Sequence, residues 1–470
     1  MSQELTDQVS EFIVNSTLDS IPQSVIEAAK RSMLDGFGLA VAGSRTDVAR
    51  IAQAELSRYG AQLAESSVLG TGLCMPARFA AFLTGIAIHA DDYDDTQLAV
   101  APDRVYGLLT HPTAPALGAT LAVAEATGAS GADLLLAYLI GVEVETKVCE
   151  AISPRHYDDG FHSTATVGAI GAGAGAARLL GMDAAKVATT LGVAATQAAG
   201  LRENFGTMTK PFHAGRAAES GVVAATLVSG GMTAAQNILE ARRGFFSAAG
   251  GGFDPGMIFG KLGNPWTFES PGVSIKPYPT GSLTHPAMTA MLNLVVMNDL
   301  HVDDVEEIYV GTNRHMPNAL IHSRPRTDLE AKFSMEFCMA ILLLRRRAGL
   351  EELTDEVVLS PDVQKLIPRV RFEVDPEAEA AGYDNMASIV RIVLKDGRVL
   401  EERCSYSKGQ PQNPMTLDEL TEKFASCVSA GGIGADAGKR AAGLILAMEK
   451  QESLEPIVSV LTDSELTGAV

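Results

Sequence analysis

The two consecutive stretches FHSTATVGAIGAGAGAARLLG and DAAKVATTLGVAATQAAG, between Phe161 and Gly200, constrain the fold most. Both are apolar nearly all round, yet they carry almost no bulk. Alanine is the strongest helix former. A helix without a polar face must be covered by others on every side. Small side chains also let the covering helices come close. The stretches therefore predict the centre of a tightly packed helical body. The whole chain agrees: it is 46% hydrophobic but only 6% aromatic, with 45 glycines and one tryptophan. That is a poor composition for a sheet sandwich, whose strands favour aromatic and β-branched residues.

Apolar spacing and Gly, Pro and Asp punctuation predict helices over 22–43, 76–95, 113–127, 131–150, 162–181, 184–200 and 213–231. Between 250 and 271, SAAGGGFDPG and LGNPW are loop chemistry. Strand patterns follow at 305–312 and 369–374, and a hairpin at 387–405 turns at Asp396-Gly397. Helical patterns at 283–298 and 328–348 lie among them, and helix returns after Thr416. At 470 residues the chain exceeds what one core usually supports. The expected fold is mainly α. A large, discontinuous all-helical domain takes 1–267 and 407–470, and a smaller α+β domain takes 268–406.

Acidic residues outnumber basic ones 57 to 37, for a formal net charge of −20. Such a surface repels phosphate backbones and anionic lipid, so nucleic acid and membrane are disfavoured as partners. Cys74, Cys149, Cys338, Cys404 and Cys427 are scattered, with no CxxC pair, which disfavours a disulfide framework, a zinc ribbon or an iron–sulfur cluster. The polar start MSQELTDQVSEF does not read as a secretory signal, and no apolar run is long enough to span a bilayer. A cytoplasmic protein is expected.

Several segments could carry chemistry. HADDYDD, His89 to Asp95, sets four carboxylates in five positions at the end of a predicted helix. They repel one another and face the wrong end of the helix dipole, so they need cations, a hydrogen-bond network or plain solvent. The cluster also fits the magnesium-binding DDxxD of helical isoprenoid synthases, with Asp91 and Asp95 one turn apart. A second acidic element would then be needed, but NDLHVDDVE (298–306) carries Val302 where a hydroxyl ligand belongs, and aromatics are scarce. THPTAP places His111 just before a helix. RHYDDGFHSTA places Tyr157, His162 and Ser163 at the start of the small-residue helix, whose N–H groups can receive a carboxylate. TMTKPFHAG carries Lys210 and His213. Lys210 precedes Pro211, which favours extended backbone in a loop, and its apolar surroundings favour a lowered pKa. SIKPYPTGSLTHPAM carries Lys276, Tyr278 and His285. The run Gly171–Ala176 superficially suggests a dinucleotide loop, but no strand precedes it, and close helix packing explains it better. No metal-ligand spacing stands out. Loops of Lys, His and Tyr opening onto helices favour acid–base chemistry on a small anionic carboxylate.

In this order, and over essentially the whole chain, HADDYDD with THP, GFHSTATVGAIGAGAGAARLLG, TKPFHAG and KPYPTGSLTHP resemble the MmgE/PrpD family. The resemblance implies a helical domain, a smaller α+β lid domain, a homodimer, and no metal or organic cofactor. It further implies proton removal next to a carboxylate of a di- or tricarboxylate. The outcome would be that of a lyase, a dehydratase or decarboxylase of 2-methylcitrate- or cis-aconitate-like substrates. The alternative is an epimerase of an iminodisuccinate-like aminodicarboxylate, which HYDDGFHSTA and NFGTMTKP resemble most. Carried over, the site would comprise Asp91, Asp92, His111, His162 and Lys210; in the epimerase type, Tyr157 and Lys210 would be the base pair on opposite faces of the substrate carbon. Lys276 would hold substrate, with His89, Ser163, His213 and His285 as further binding residues. The stretch between Asp92 and His111 is longer than in the family's decarboxylases. Ile321 or His322 stands near their lid tyrosine.

Overall fold

The structure, a computed structural model, describes residues 4–59, 63–98, 109–382 and 387–462. Ten helices build its first part: α1 (Leu5–Asn15), α2 (Gln23–Gly43), α3 (Asp47–Ser57), α4 (Ala77–His89), α5 (Thr113–Thr127), α6 (Gly131–Ala151), α7 (Arg155–Asp158), α8 (Ser163–Leu179), α9 (Ala184–Ala195) and α10 (Thr209–Ser229). The small-residue helix α8 is buried along its whole length from Ser163 to Ala177. It is enclosed by α5, α6, α9 and α10, as a helix with no polar face must be.

Glycine permits that closeness. A Cβ on Gly171 would stand 2.6 Å from the carbonyl oxygen of Gly141 in α6, so the 171–176 run serves helix contact rather than phosphate binding. Where α4 crosses α10, a Cβ on Gly215 would stand 2.4 Å from the Phe82 carbonyl oxygen, and one on Gly85 would stand 2.8 Å from Gly215 Cα. A backbone contact cannot yield as a side chain can. Gly215→Val is therefore expected to cost about 1–3 kcal/mol, seen as a lower melting midpoint, and to reduce activity because α4 and α10 both lead into the site.

Several boundaries differ from the sequence expectation. The helix expected to run to 95 stops at His89, because Asp92 takes a left-handed φ of 51° that no helix continues through. The helix expected from 213 starts at Thr209, which puts Lys210 in its first turn rather than in an extended loop. Pro211 is tolerated there because first-turn N–H groups have no helical acceptor. The expected 328–348 helix is two, Asp328–Ala331 and Met335–Arg345, since the Ser334 side chain caps the second by accepting from Phe337 N–H.

Farther along, a four-stranded sheet has the strand Val305–Thr312 between the parallel Val370–Val374 and the antiparallel Ser388–Leu394, with Val399–Cys404 outermost. The helices His285–Met297 and Met335–Arg345 pack on each other and on this sheet. The helix Leu417–Ala430, opened by a Thr416/Glu419 capping box, returns to pack on α2. One buried cluster joins residues from Leu5–Phe268 with others from Leu420–Leu461, and a second runs from Tyr278 to Cys404. Among the described residues no helix is long and apolar enough to cross a membrane.

Candidate active site

The acids of HADDYDD are each given a partner. Beyond the end of α4, Asp91 accepts from Lys332 Nζ at 3.3 Å. Asp92 Oδ1 receives Lys210 Nζ at 2.6 Å and Lys276 Nζ at 3.0 Å, and the Lys276 ammonium also donates to the Asp92 carbonyl at 2.7 Å. Asp94 meets His89 Nδ1 at 2.8 Å. Asp95 accepts from the backbone N–H and hydroxyl of Thr113, at 3.2 and 2.6 Å, at the start of α5. The cations and hydrogen bonds that such a cluster requires are thus present, and Asp92, Asp94 and Asp95 are buried. A DDxxD pair on one helical face is not formed, because these residues lie past the helix and point to different partners.

Lys423, on the returning helix, secures the arrangement from behind. Its ammonium donates to the carbonyls of Tyr93 and Lys276, both at 2.8 Å, lies 2.6 Å from Asp35, and sits over the Tyr93 ring. Residues 93 and 276 belong to the two segments that carry Asp92 and Lys276. Sequence reading missed this role. Its signal was a lysine between Leu420 and Phe424 on the buried face of an amphipathic helix.

The histidines form the adjoining layer. The His89 ring centroid is 4.4 Å from that of His111 and 5.9 Å from that of His162. His111 Nδ1–H donates to the Asp95 carbonyl at 3.0 Å, which leaves Nε2, 3.9 Å from Asp92, as the basic nitrogen. Nδ1 atoms of His162 and His213 are 3.1 Å apart, so one must donate and the other accept. Burial, reinforced by the Lys210 charge, holds His89, His111 and His162 well below the usual imidazole value and His213 at about 4. These rings are neutral at neutral pH. Burial also raises Asp94 to about 7, so its contact with His89 is a hydrogen bond more than an ion pair. Asp92 is the opposite case. Lys210 and Lys276 overcome its burial and keep it well below the ordinary carboxylate value. Burial lowers Lys210 in turn, against the pull of Asp92.

These groups open onto a cleft of about 730 Å³. Asp92, His111, Tyr157, His162, Lys210 and Lys276 line it, together with Phe205 and Phe333. The two aromatic rings lie 5.4 and 5.8 Å from Lys210 Nζ. Arg202 lies over the Tyr157 ring at 3.5 Å, yet burial still raises the Tyr157 phenol. The remaining expected residues are not among those lining the cleft. Asp91 faces Lys332, and His89 and His213 stand behind His111 and His162. Ser163 is buried with no partner for its hydroxyl among the described residues. His285 Nε2 lies 3.2 Å from the Thr280 carbonyl and lines a separate small cavity behind Lys276. Part of the long stretch between Asp92 and His111, residues 99–108, lies outside the described residues.

His89, Asp92, Asp94 and His111 place potential ligand atoms within 4.8 Å of one another. A divalent cation there would sit beside the two ammonium groups already on Asp92 Oδ1, and their repulsion makes the cluster a poor metal cage.

Comparison with known proteins places the geometry in context. Residues 7–257 match the MmgE/PrpD N-terminal domain, and residues 278–448 match the MmgE/PrpD C-terminal domain. Cis-aconitate decarboxylase of Homo sapiens is 27% identical over 477 residues, covering 99% of this chain and 93% of that protein. Cis-aconitate decarboxylase of Aspergillus terreus is 26% identical over 485 residues, covering 97% of this chain and 96% of that protein.

Proposed function

The chain belongs to the MmgE/PrpD family, and from that premise we propose that it is a lyase acting on a small di- or tricarboxylate, with cis-aconitate the first substrate to test. The observation that carries this reading is the floor of the cleft, where two buried ammonium groups share one carboxylate. That leaves one uncompensated positive charge where water is scarce, an electrostatic sink for a substrate carboxylate that the chain's overall negative charge would otherwise repel.

Loss of CO2 from cis-aconitate breaks a C–C bond, leaves its electron pair on the carbon framework, and requires one proton at carbon. Lys210, held in the first turn of α10 with a lowered pKa, supplies and recovers that proton. Lys276 holds a carboxylate, and Asp92 positions both lysines. His162 lines the same wall. His111, neutral with Nε2 basic, can serve as a proton donor only after a bound anion raises its proton affinity and lets it take up a proton. Tyr157 assists as a proton donor rather than a base, in keeping with its raised pKa. The 268–406 segment, which contributes Lys276 and Phe333, acts as the lid over the helical part. Incubation of the purified protein with cis-aconitate should release CO2 and a C5 dicarboxylate in equal amounts; no turnover of any aconitate or citrate analogue would rule the lyase out.

Asp94 sets a pH dependence. As pH rises through about 7, its carboxyl ionises 3.5 Å from His111 Nδ1 and adds a negative charge beside the anion site. For a fully ionised substrate, kcat/KM should fall between pH 6.5 and 8 on a scale of ~1 pH unit. Asp94→Asn should flatten that fall, which pH–rate profiles of the two proteins will show.

A further inference from the structure

Tyr157 reaches the cleft from a helix of only four residues, Arg155–Asp158. A single helical turn has almost no stability of its own, so its side chains are aimed by what packs on them. The neighbouring His156 is fixed from within the helical part. Its Nδ1 lies 2.9 Å from the Ala249 carbonyl oxygen and its Nε2 2.8 Å from the Thr166 hydroxyl. Those contacts anchor the backbone of the turn. The Tyr157 ring is aimed from another direction, by Arg202.

Residues 160–162 and 200–202 run side by side. Phe161 pairs with Leu201, and the Arg202 backbone N–H donates to the Gly160 carbonyl at 2.9 Å. This sets the guanidinium on Tyr157 in two ways: Cζ lies 3.5 Å from the ring centroid, and Nη1 donates to the Tyr157 carbonyl at 2.8 Å. A planar guanidinium stacks on an aromatic face as an ammonium cannot. Among the described residues no carboxylate pairs with Arg202, and its Nε is buried without an acceptor. Its charge therefore faces the ring un-neutralised. The other charged or titratable groups at this wall are Asp158 on the same turn, Glu203, and Asp159, which Arg155 Nε holds at 2.7 Å; Lys210 and His315 line the same cleft. Asp158 opposes ionisation of the phenol, whereas Arg202 favours it.

We propose that Arg202 is a positioning residue for the reaction: it holds the Tyr157 ring at the cleft and, as an un-neutralised cation against that ring, stabilises the phenolate left when Tyr157 gives up its proton. In that step the O–H bond breaks, its electron pair stays on the phenol oxygen, and the proton passes to the substrate anion; water returns it afterwards. The proposal rests on reading Tyr157 as a proton donor in the lyase reaction.

NMR of the protein carrying isotope-labelled tyrosine, with Tyr157→Phe identifying the signal, follows the phenol without requiring any turnover. The Tyr157 phenol should ionise in wild type about one pH unit or more below its midpoint in Arg202→Met, with Arg202→Lys between them. For cis-aconitate, kcat should fall about tenfold in Arg202→Met, the equivalent of that shift, with KM little changed. Adding Arg202→Met to Tyr157→Phe should cost nothing further. His156 and the Arg202 backbone bond are kept in these variants, so the turn should stay folded. The same phenol midpoint in wild type and both Arg202 variants, or a full further loss on top of Tyr157→Phe, would overturn the proposal. A normal phenol shift without turnover of cis-aconitate would instead count against the lyase reading alone.

Discussion

Replacing Lys210 with alanine is expected to slow cis-aconitate turnover by about a hundred- to ten-thousandfold, the usual worth of one positioned acid or base. The fold should survive. In wild type, two ammonium groups share the Asp92 carboxylate, so removing one leaves a one-to-one pair with Lys276 rather than an orphaned buried charge. The aromatic rings near Lys210 Nζ lose only a cation–π contact. Lys210→Arg separates the two roles assigned to the residue. A guanidinium keeps the positive charge but does not give up its proton at accessible pH, so KM should change little while kcat falls nearly as far as in the alanine protein. Small alkylamines added to the Lys210→Ala protein should restore part of kcat. A well-folded Lys210→Ala protein with wild-type turnover would remove Lys210 from the chemistry.

The parts of this site that were legible in the sequence are those set by local rules. The all-apolar pattern of 162–181 required a covered helix, and α8 is one. Lys210 of TKP stood out because its apolar, Gly-flanked neighbours gave it little reason to be on the surface, whereas Lys276 of KPYP was picked out by the family resemblance. The conformation of 91–95 was not legible. Helical spacing continues through Ala90, and the reason the chain turns at Asp92 is a set of partners that lie far away in sequence, Lys210, Lys276 and Lys332. The same holds for Lys423, whose acceptors are carbonyls of Tyr93 and Lys276. A carbonyl has no sequence signature, so a lysine recruited by one reads as an ordinary helix lysine. The stacked pair of Phe205 and Phe333 was hidden for a related reason: its members are far apart in sequence, and only the fold brings them together.

Asp92 should be the most costly of these residues to neutralise. Asp92→Asn keeps the side-chain shape and tolerates the left-handed backbone of residue 92, yet it strands Lys210 and Lys276 without a carboxylate. Breaking a buried ion pair from one side typically costs about 3–5 kcal/mol, so the melting midpoint should drop well below that of wild type at pH 7. The pH dependence distinguishes charge from packing. Asp92 has a folded pKa well below its ordinary value; its contribution is therefore complete above the unfolded carboxylate range and is lost only as pH falls below it. The wild-type advantage should accordingly be flat from about pH 5 to pH 7. In the variant, Lys210, already lowered by burial, loses the opposing pull of Asp92, so the unfolded state binds more protons and stability rises with pH as it discharges. The deficit should shrink toward pH 9.5. A second substitution, Lys276→Met, should recover part of the loss, since it removes one of the two stranded charges instead of its partner. An Asp92→Asn protein that melts with wild type at pH 7, or whose deficit is the same at pH 9.5, would mean that the two lysines do not depend on this carboxylate.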